Sequence, residues 1–126
     1  MINHNLITAT IVDAAIRIHR ALGPGLLESV YEIVLARDLV RRGYFVERQK
    51  PVSFNFEGLW FEDAFRANLV VERAVVIEVK SVVTLAPVHA KQLLTYLRLL
   101  DHRLGLLLNF GAPAMKDGIT RVVNKL

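Results

Sequence analysis

The chain contains no cysteine, so it can form neither disulfide bonds nor thiolate metal sites. It has only four prolines and 8% aromatic residues, yet 53% of its residues are hydrophobic, which excludes a disordered chain. No apolar run approaches the ~18 residues that span a bilayer. The first residues also lack the basic and apolar regions of a signal peptide. We therefore expect a cytoplasmic protein.

The length of 126 residues predicts a single domain, residues 1–126, with one proper hydrophobic core. The formal net charge of +4 is mildly basic. Such a charge is compatible with a polyanionic partner but is common in proteins that bind none. Charge alone therefore says little about function.

Three segments carry hydrophobic residues at helical spacing. The first runs from Leu6 to Leu22 and ends at the turn signal Gly23-Pro24-Gly25. The second runs from about Leu26 to Arg42, with Gly43 as its cap. The third begins at Pro87 and runs to about Leu100. The apolar stripe predicted for the second helix consists of Leu27, Val30, Tyr31, Val34, Leu35 and Leu39.

The middle of the chain is rich in the residues of β-strands. It predicts three strands, from Phe45 to Phe56, from Leu59 to Val71 and from Ala74 to Val83. Natural turns lie at Glu57-Gly58 and near Glu72-Arg73. The three strands should form an antiparallel meander.

One more strand, Leu104 to Phe110, is almost wholly apolar, as expected in a sheet that is covered on both faces. A short edge strand could follow at Ile119 to Val123. The predicted order is α-α-β-β-β-α-β. This is an α/β fold of the α+β kind, with a central mixed four-stranded sheet flanked by helices.

Two charged residues interrupt the third strand. Glu78 and Lys80 are two residues apart, so both side chains point to the same face. Burying a charge is costly unless it is paired or binds a metal. A carboxylate that can bind a hard cation, next to an ammonium that can hold a phosphate, points to metal-assisted hydrolysis of phosphodiesters.

Three motifs occur in one order: G-x-x-E-x-x-Y at 25–31, Glu78-x-Lys80, and Q-x-x-x-Y from Gln92 to Tyr96. With these motifs, and with Asn109-Phe110-Gly111 on the last main strand, the chain resembles the bacterial and archaeal GxxExxY family of the PD-(D/E)XK nuclease superfamily from about residue 5 to 123. The resemblance implies a restriction-endonuclease-like core. It also implies Mg²⁺ or Mn²⁺ as cofactor and DNA or RNA as partner.

The resemblance further implies the roles of individual residues. The catalytic residues would be Glu78, Lys80, Gln92 and Glu28, and the metal ligands would be Asn68, Glu78 and Glu28. Lys80 would position the attacking water. Tyr96 and Lys91 would contact the nucleic acid.

Asn68 departs from the family pattern, which has an aspartate at this position. A neutral carbonyl oxygen is a poorer ligand for Mg²⁺ than a carboxylate, so metal affinity should fall. Neither Asp63 nor Glu72 is a convincing replacement. Strict strand alternation puts Asp63 on the opposite face from Asn68, and Glu72 lies in a turn.

Several of these residues also have purely structural interpretations. Glu78 could pair with Lys80 or Arg66 on a solvent-facing side, and Glu28 in a first helical turn is favoured by the helix dipole. The remaining interpretations are Tyr31 as a core residue with a satisfied hydroxyl, His89 as a surface histidine and Trp60 as a packing residue.

Three functions therefore compete. The first is a metal-dependent nuclease, weakened or inactive because of Asn68. The second is a nucleic-acid-binding module that has lost catalysis, and the third is a protein-interaction module. A homodimer is a further expectation, because a small domain gains contact area by dimerising.

Overall fold

The structure, a computed structural model, describes residues 2–125. Its elements follow the predicted order, with one short 3₁₀ helix added near the end and the anticipated edge strand present at Ile119–Val123. They are α1 (His4–Leu22), α2 (Glu28–Arg41), β1 (Val46–Phe56), β2 (Leu59–Val71), β3 (Val75–Lys80), α3 (Pro87–Leu100), β4 (Leu104–Asn109), the 3₁₀ helix (Met115–Gly118) and β5 (Ile119–Val123).

The strands form one mixed sheet in the order β1-β2-β3-β4-β5. Only β3 and β4 are parallel, and α3 connects them. The sheet has five strands, not the four that we predicted. β5 belongs to it because it pairs with β4 from Leu104↔Val123 to Leu108↔Ile119. The α+β class, the antiparallel meander and the full burial of β4 are confirmed.

Helix α2 buries most, but not all, of the predicted apolar stripe. Tyr31, Leu35 and Leu39 are fully buried as expected. Leu27 is 74% exposed and Val30 is also exposed, so their place in the predicted stripe was wrong. Leu27 precedes the helix as its N-cap residue, and both residues lie around the helix from the buried side, which faces the sheet.

The core lies in two layers, one on each face of the sheet. One layer joins the sheet to α1 and α2 and includes Val75 and Ile77. The other joins the sheet to α3 and includes Val76 and Leu107. Because side chains alternate along a strand, Glu78 follows Val76 onto the face that α3 covers.

Asn109 ends β3 earlier than predicted, at Lys80. Its Oδ1 accepts the Val82 N–H at 3.0 Å, and its Nδ2 donates to the Val82 carbonyl at 2.9 Å. Gly111 allows this approach, since a Cβ there would lie 2.2 Å from the Val82 oxygen. The chain leaving β3 is thereby attached to the end of β4, which fixes where Lys80 and Ser81 lie.

The β1–β2 hairpin extends beyond the helices, and its tip is exposed. Trp60 lies there and is 63% exposed, so its predicted packing role was wrong. The two strands at the tip pair with each other, and Phe56 and Leu59 next to the turn are exposed. Among residues 2–125, no helix combines the length and apolarity that crossing a bilayer would require.

Candidate active site

The strands β2 and β3 separate at one end, and two side chains occupy the opening. Backbone pairing runs from Val71↔Val75 to Leu69↔Ile77. At the next position the Asn68 N–H donates to Glu78 Oε1 at 3.2 Å, and the Val79 N–H donates to Asn68 Oδ1 at 2.7 Å. Side-chain oxygens thus satisfy backbone donors that a regular ladder would pair.

These hydrogen bonds determine which way the Asn68 amide points. A backbone N–H can donate only to the carbonyl oxygen, so Oδ1 faces Val79. The NH₂ group therefore occupies the position of the second oxygen of an aspartate. An amide nitrogen carries two donors and no acceptor, and it cannot ligate a cation. The oxygen that we predicted as a metal ligand is engaged with the backbone.

The opening coincides with an irregularity in β1. Arg48 pairs with Leu69 and Lys50 pairs with Ala67, so Gln49 lies opposite Asn68. Gln49 has a φ of 50°, which is unusual for a residue other than glycine. No Cα pairing joins Gln49 and Asn68 between these two pairs, and the Asn68 side chain hydrogen-bonds to β3.

Glu78 is 8% exposed, and burial raises the pKa of its carboxyl to about 7. The Asn68 N–H and the charge of Lys80 oppose this rise in pKa, whereas the negative charges of Glu32 and Glu28 reinforce it. A carboxyl with such a pKa exchanges a proton near neutral pH. The buried position of the Glu78 carboxyl makes the structural interpretation as a solvent-facing ion pair incorrect.

Glu32 is a further acidic residue near Glu78 that our sequence reasoning missed. It is 3% exposed and accepts hydrogen bonds from Arg48 Nη2 at 3.1 Å and Gln49 Nε2 at 2.6 Å. Its spacing was a usable signal, because Glu32 lies three residues before Leu35, a member of the predicted apolar stripe, and so shares a helix face with it. Arg48 balances its charge and Gln49 donates a further hydrogen bond to it, and these long-range contacts could not be predicted from the sequence.

Glu28 lies at the start of α2 and is exposed. Its Oε2 accepts the Ser81 N–H at 3.2 Å, and the Ser81 hydroxyl donates to the Leu26 carbonyl at 2.7 Å. These contacts attach the start of α2 to the residue that follows Lys80. Glu28 therefore lies near enough to Glu78 to influence its pKa, while one of its oxygens holds the backbone.

Tyr31 is a core residue, as predicted. Its ring is fully buried and stacks on Phe110 at a centroid distance of 4.4 Å. Its hydroxyl donates to the Gly23 carbonyl at 2.5 Å and accepts the Leu26 N–H at 3.1 Å. The tyrosine thus shapes the loop before α2, which sets the position of Glu28.

Helix α3 contributes Tyr96 to the site. The Tyr96 ring stacks on Phe65 at 3.9 Å, and burial together with the charge of Glu78 raises the pKa of its phenol, which Gln92 lowers. Gln92 and Lys91 lie exposed on the same helix. His89 is not an unattached surface histidine, because its Nδ1 accepts the Ala86 N–H at 3.1 Å and caps α3.

The residues present do not fit a divalent cation as they stand. Within residues 2–125, no three Asp, Glu, His or Cys side chains converge in a metal-binding group. Asn68 has turned its oxygen to the backbone, and Glu32 is neutralised by Arg48. Asp63 and Glu72 do not compensate: Asp63 faces Arg66 at 3.8 Å, and Glu72 accepts the Phe45 N–H at 2.7 Å beyond the other end of β2.

The model of a family described as the PD-(D/E)XK nuclease superfamily matches residues 5–122. No curated protein and no solved structure matches the chain. The matched range contains both strands of the opening, the two helices that face it and β4.

Proposed function

Because the chain belongs to the PD-(D/E)XK nuclease superfamily, we propose that it is a nuclease-type domain that binds the phosphodiester backbone of nucleic acid around Glu78 and Lys80. We propose further that its metal-dependent hydrolysis is weakened because Asn68 replaces an aspartate. Membership of the GxxExxY family within the superfamily stays a prediction.

The orientation of the Asn68 amide is the observation that carries this proposal. Its oxygen accepts the Val79 N–H at 2.7 Å, and its NH₂ group takes the place of a carboxylate oxygen. PD-(D/E)XK nucleases generally use divalent metal ions. An NH₂ group repels a cation but can donate a hydrogen bond to a phosphate oxygen. The substitution therefore weakens metal binding more than it weakens phosphate binding.

Lys80 supports phosphate binding in this proposal. It follows Glu78 on the same face of β3, is half-buried, and lies close enough for its positive charge to lower the pKa of Glu78. An ammonium at this place attracts a phosphate and stabilises negative charge that develops on it. Gln92, Tyr96 and Lys91 on α3 would contact the neighbouring parts of the strand.

A nucleic-acid-binding module without catalysis is the second candidate. The absence of a converging three-residue metal group among residues 2–125 favours it. In this case phosphate binding at Lys80 would persist and hydrolysis would be absent.

Calorimetric titration with Mn²⁺ tests the proposal. We expect weak binding to the native protein and at least about tenfold tighter binding to Asn68→Asp, which is about 1.4 kcal/mol. The double variant Asn68→Asp/Glu78→Gln is the matched control and should bind no metal. Equal Mn²⁺ affinity in the native protein and Asn68→Asp would contradict the role of Asn68.

Hydrolysis and binding assays separate the two candidates. Labelled DNA and RNA are incubated with each protein and Mn²⁺, and binding is measured by fluorescence anisotropy at several salt concentrations. Slow cleavage by the native protein that rises in Asn68→Asp supports the nuclease, and salt-dependent binding without cleavage in either protein supports the module. No binding by the native protein, with Lys80→Gln behaving identically, would exclude both.

A further inference from the structure

The tip of the β1–β2 hairpin presents apolar side chains to solvent. Phe54 pairs with Phe61, and Phe56 pairs with Leu59. Directly opposed residues share a face of the sheet, so these four side chains form one apolar surface. Phe56 and Leu59 are 58% and 60% exposed, and Phe61 is exposed as well. Contiguous exposed apolar surface of this kind marks a site of interaction.

The tip is also acidic, in a chain whose net charge is +4. Glu57, Glu62 and Asp63 lie on it, and no lysine or arginine occurs between Pro51 and Phe65. Within residues 2–125, Glu57 and Glu62 form no ion pair. Nucleic acid would be repelled by these carboxylates. The tip therefore fits a partner surface that is apolar and positively charged.

Such a surface exists on α2 of the same protein. A groove of about 470 Å³ lies between the outer face of α2 and the start of β1. Arg37 and Arg41 stand on its rim and, in the described part of the chain, form no ion pair. Exposed Ile33 and Val40 belong to the groove. Its lining consists of Ile33, Ala36, Arg37, Val40, Arg41, Val46 and Arg48.

The tip cannot reach the groove of its own chain. Arg48 lines the groove and Phe56 lies at the tip, and both belong to the continuous strand β1. With a rise of about 3.3 Å per residue, the eight steps between them separate tip and groove by about 26 Å. An acidic apolar tip that occupies this groove must come from another molecule.

We propose that the hairpin tip of one copy of this chain docks into the α2 groove of a second copy. Each copy carries both surfaces, and a two-fold arrangement of the two copies would form both contacts at once and close the assembly as a dimer. The apolar side chains of the tip enter the apolar groove. Glu57 in the turn and Glu62, which strand alternation places on the other face of the hairpin, border them and lie towards the basic rim formed by Arg37 and Arg41. Apolar anchors surrounded by complementary charges are typical of specific interfaces.

Variants in which the charges of either the tip or the groove are reversed test the proposal. Sedimentation equilibrium measures the mass of each variant and of their mixture. The native protein should reach twice the monomer mass of 14.2 kDa. Glu57→Lys/Glu62→Lys has a basic tip and a basic groove, and Arg37→Glu/Arg41→Glu has an acidic tip and an acidic groove. Each variant alone should be monomeric. Mixed in equal amounts they should form a heterodimer, because both contacts are then complementary.

The control for Arg37→Glu/Arg41→Glu is Arg20→Glu/Arg98→Glu, which makes the same change in net charge as that variant at exposed positions on α1 and α3. It should dimerise like the native protein. A native protein that stays monomeric at every accessible concentration overturns the proposal, as does a mixture of the two charge variants that stays monomeric. A dimer that persists in both variants alone also overturns it, since the interface then lies elsewhere.

Discussion

The strands β2 and β3 pair through their backbones at one end, the closed end, and separate at the other, the open end. At the closed end Leu69, Val70 and Val71 pair with Ile77, Val76 and Val75, and all six side chains are fully buried. At the open end the next two residues are Asn68 and Glu78, and their side chains replace the backbone ladder. A change of two residues thus converts a packed strand pair into a polar opening.

The comparison shows that one sheet can contain both a tightly packed apolar region and a polar site with a titratable carboxyl. Apolar residues at the closed end exclude water and fix the distance between the strands. Glu78 is held at the open end by that rigid neighbourhood, so its carboxyl stays buried although burial disfavours its charge. The closed end should therefore control stability, and the open end should control pH response and metal affinity.

The substitution Ile77→Ala tests the closed end and should have the largest effect. Ile77 is fully buried, and removing its side chain leaves a cavity that costs about 2–5 kcal/mol of unfolding free energy. Urea denaturation measures this. The affinity of the remaining folded protein for nucleic acid should be unchanged, and a loss below about 1 kcal/mol would mean that the closed end is not tightly packed.

The substitution Glu78→Gln tests the open end through its pH dependence. The folded state raises the pKa of Glu78 from 4.5 to about 7. Between these values the folded protein keeps a proton that the unfolded chain has lost, so stability falls as pH rises through this window. Relative to Glu78→Gln, the native protein should lose about 2–3 kcal/mol of unfolding free energy between pH 4.5 and 8.

Denaturation of both proteins across this pH range measures the difference. Because glutamine does not titrate, the part of the pH profile that belongs to Glu78 should disappear in the variant. Identical profiles for the two proteins would mean that the pKa of Glu78 is not raised.

The substitution Asn68→Asp should lower the stability of the open end. A second carboxylate next to Glu78 adds like-charge repulsion, and at pH 7.5 without metal we expect a loss of about 1 kcal/mol of unfolding free energy. Mn²⁺ should restore this loss by binding the folded state. Thermal unfolding with and without Mn²⁺ measures both effects, and a variant that Mn²⁺ leaves unchanged would count against a metal site here.

Glu28→Gln should have the smallest effect on stability. Glu28 is exposed, and a glutamine oxygen can still accept the Ser81 N–H, so we expect a change below about 0.5 kcal/mol. Glu32→Gln is the matched comparison. It leaves Arg48 without its buried partner and should cost at least about 1 kcal/mol more. Equal losses in urea denaturation would show that burial does not distinguish the two acids.

Much of the fold was predictable because its signals are local. The bounds of β2 were predicted correctly, since the turns at Glu57-Gly58 and Glu72-Arg73 delimit it. Other bounds depend on distant contacts. β3 ends at Lys80 because Asn109 binds Val82, and no pattern within the strand indicates that contact.

Some features of the candidate site could likewise be predicted from local sequence, whereas others depend on distant contacts. The shared face of Glu78 and Lys80 and the departure at Asn68 could be derived from the sequence. Glu32 was missed because its burial depends on Arg48 and Gln49, which approach it only when β1 packs near α2. Trp60 was predicted to pack because large aromatic residues usually do, and only the extension of the hairpin beyond the helices leaves it exposed.

The sequence by itself determined the order of helices and strands, the positions of the main turns and the pairing of an acid with a base on one face of β3. These depend on side-chain alternation and on turn residues, which act over a few positions. Only the tertiary structure decided which way the Asn68 amide points, the pKa of Glu78 and which apolar residues remain exposed. Each of these depends on burial and on hydrogen-bond partners that are distant in the chain and meet only when the sheet and helices pack together.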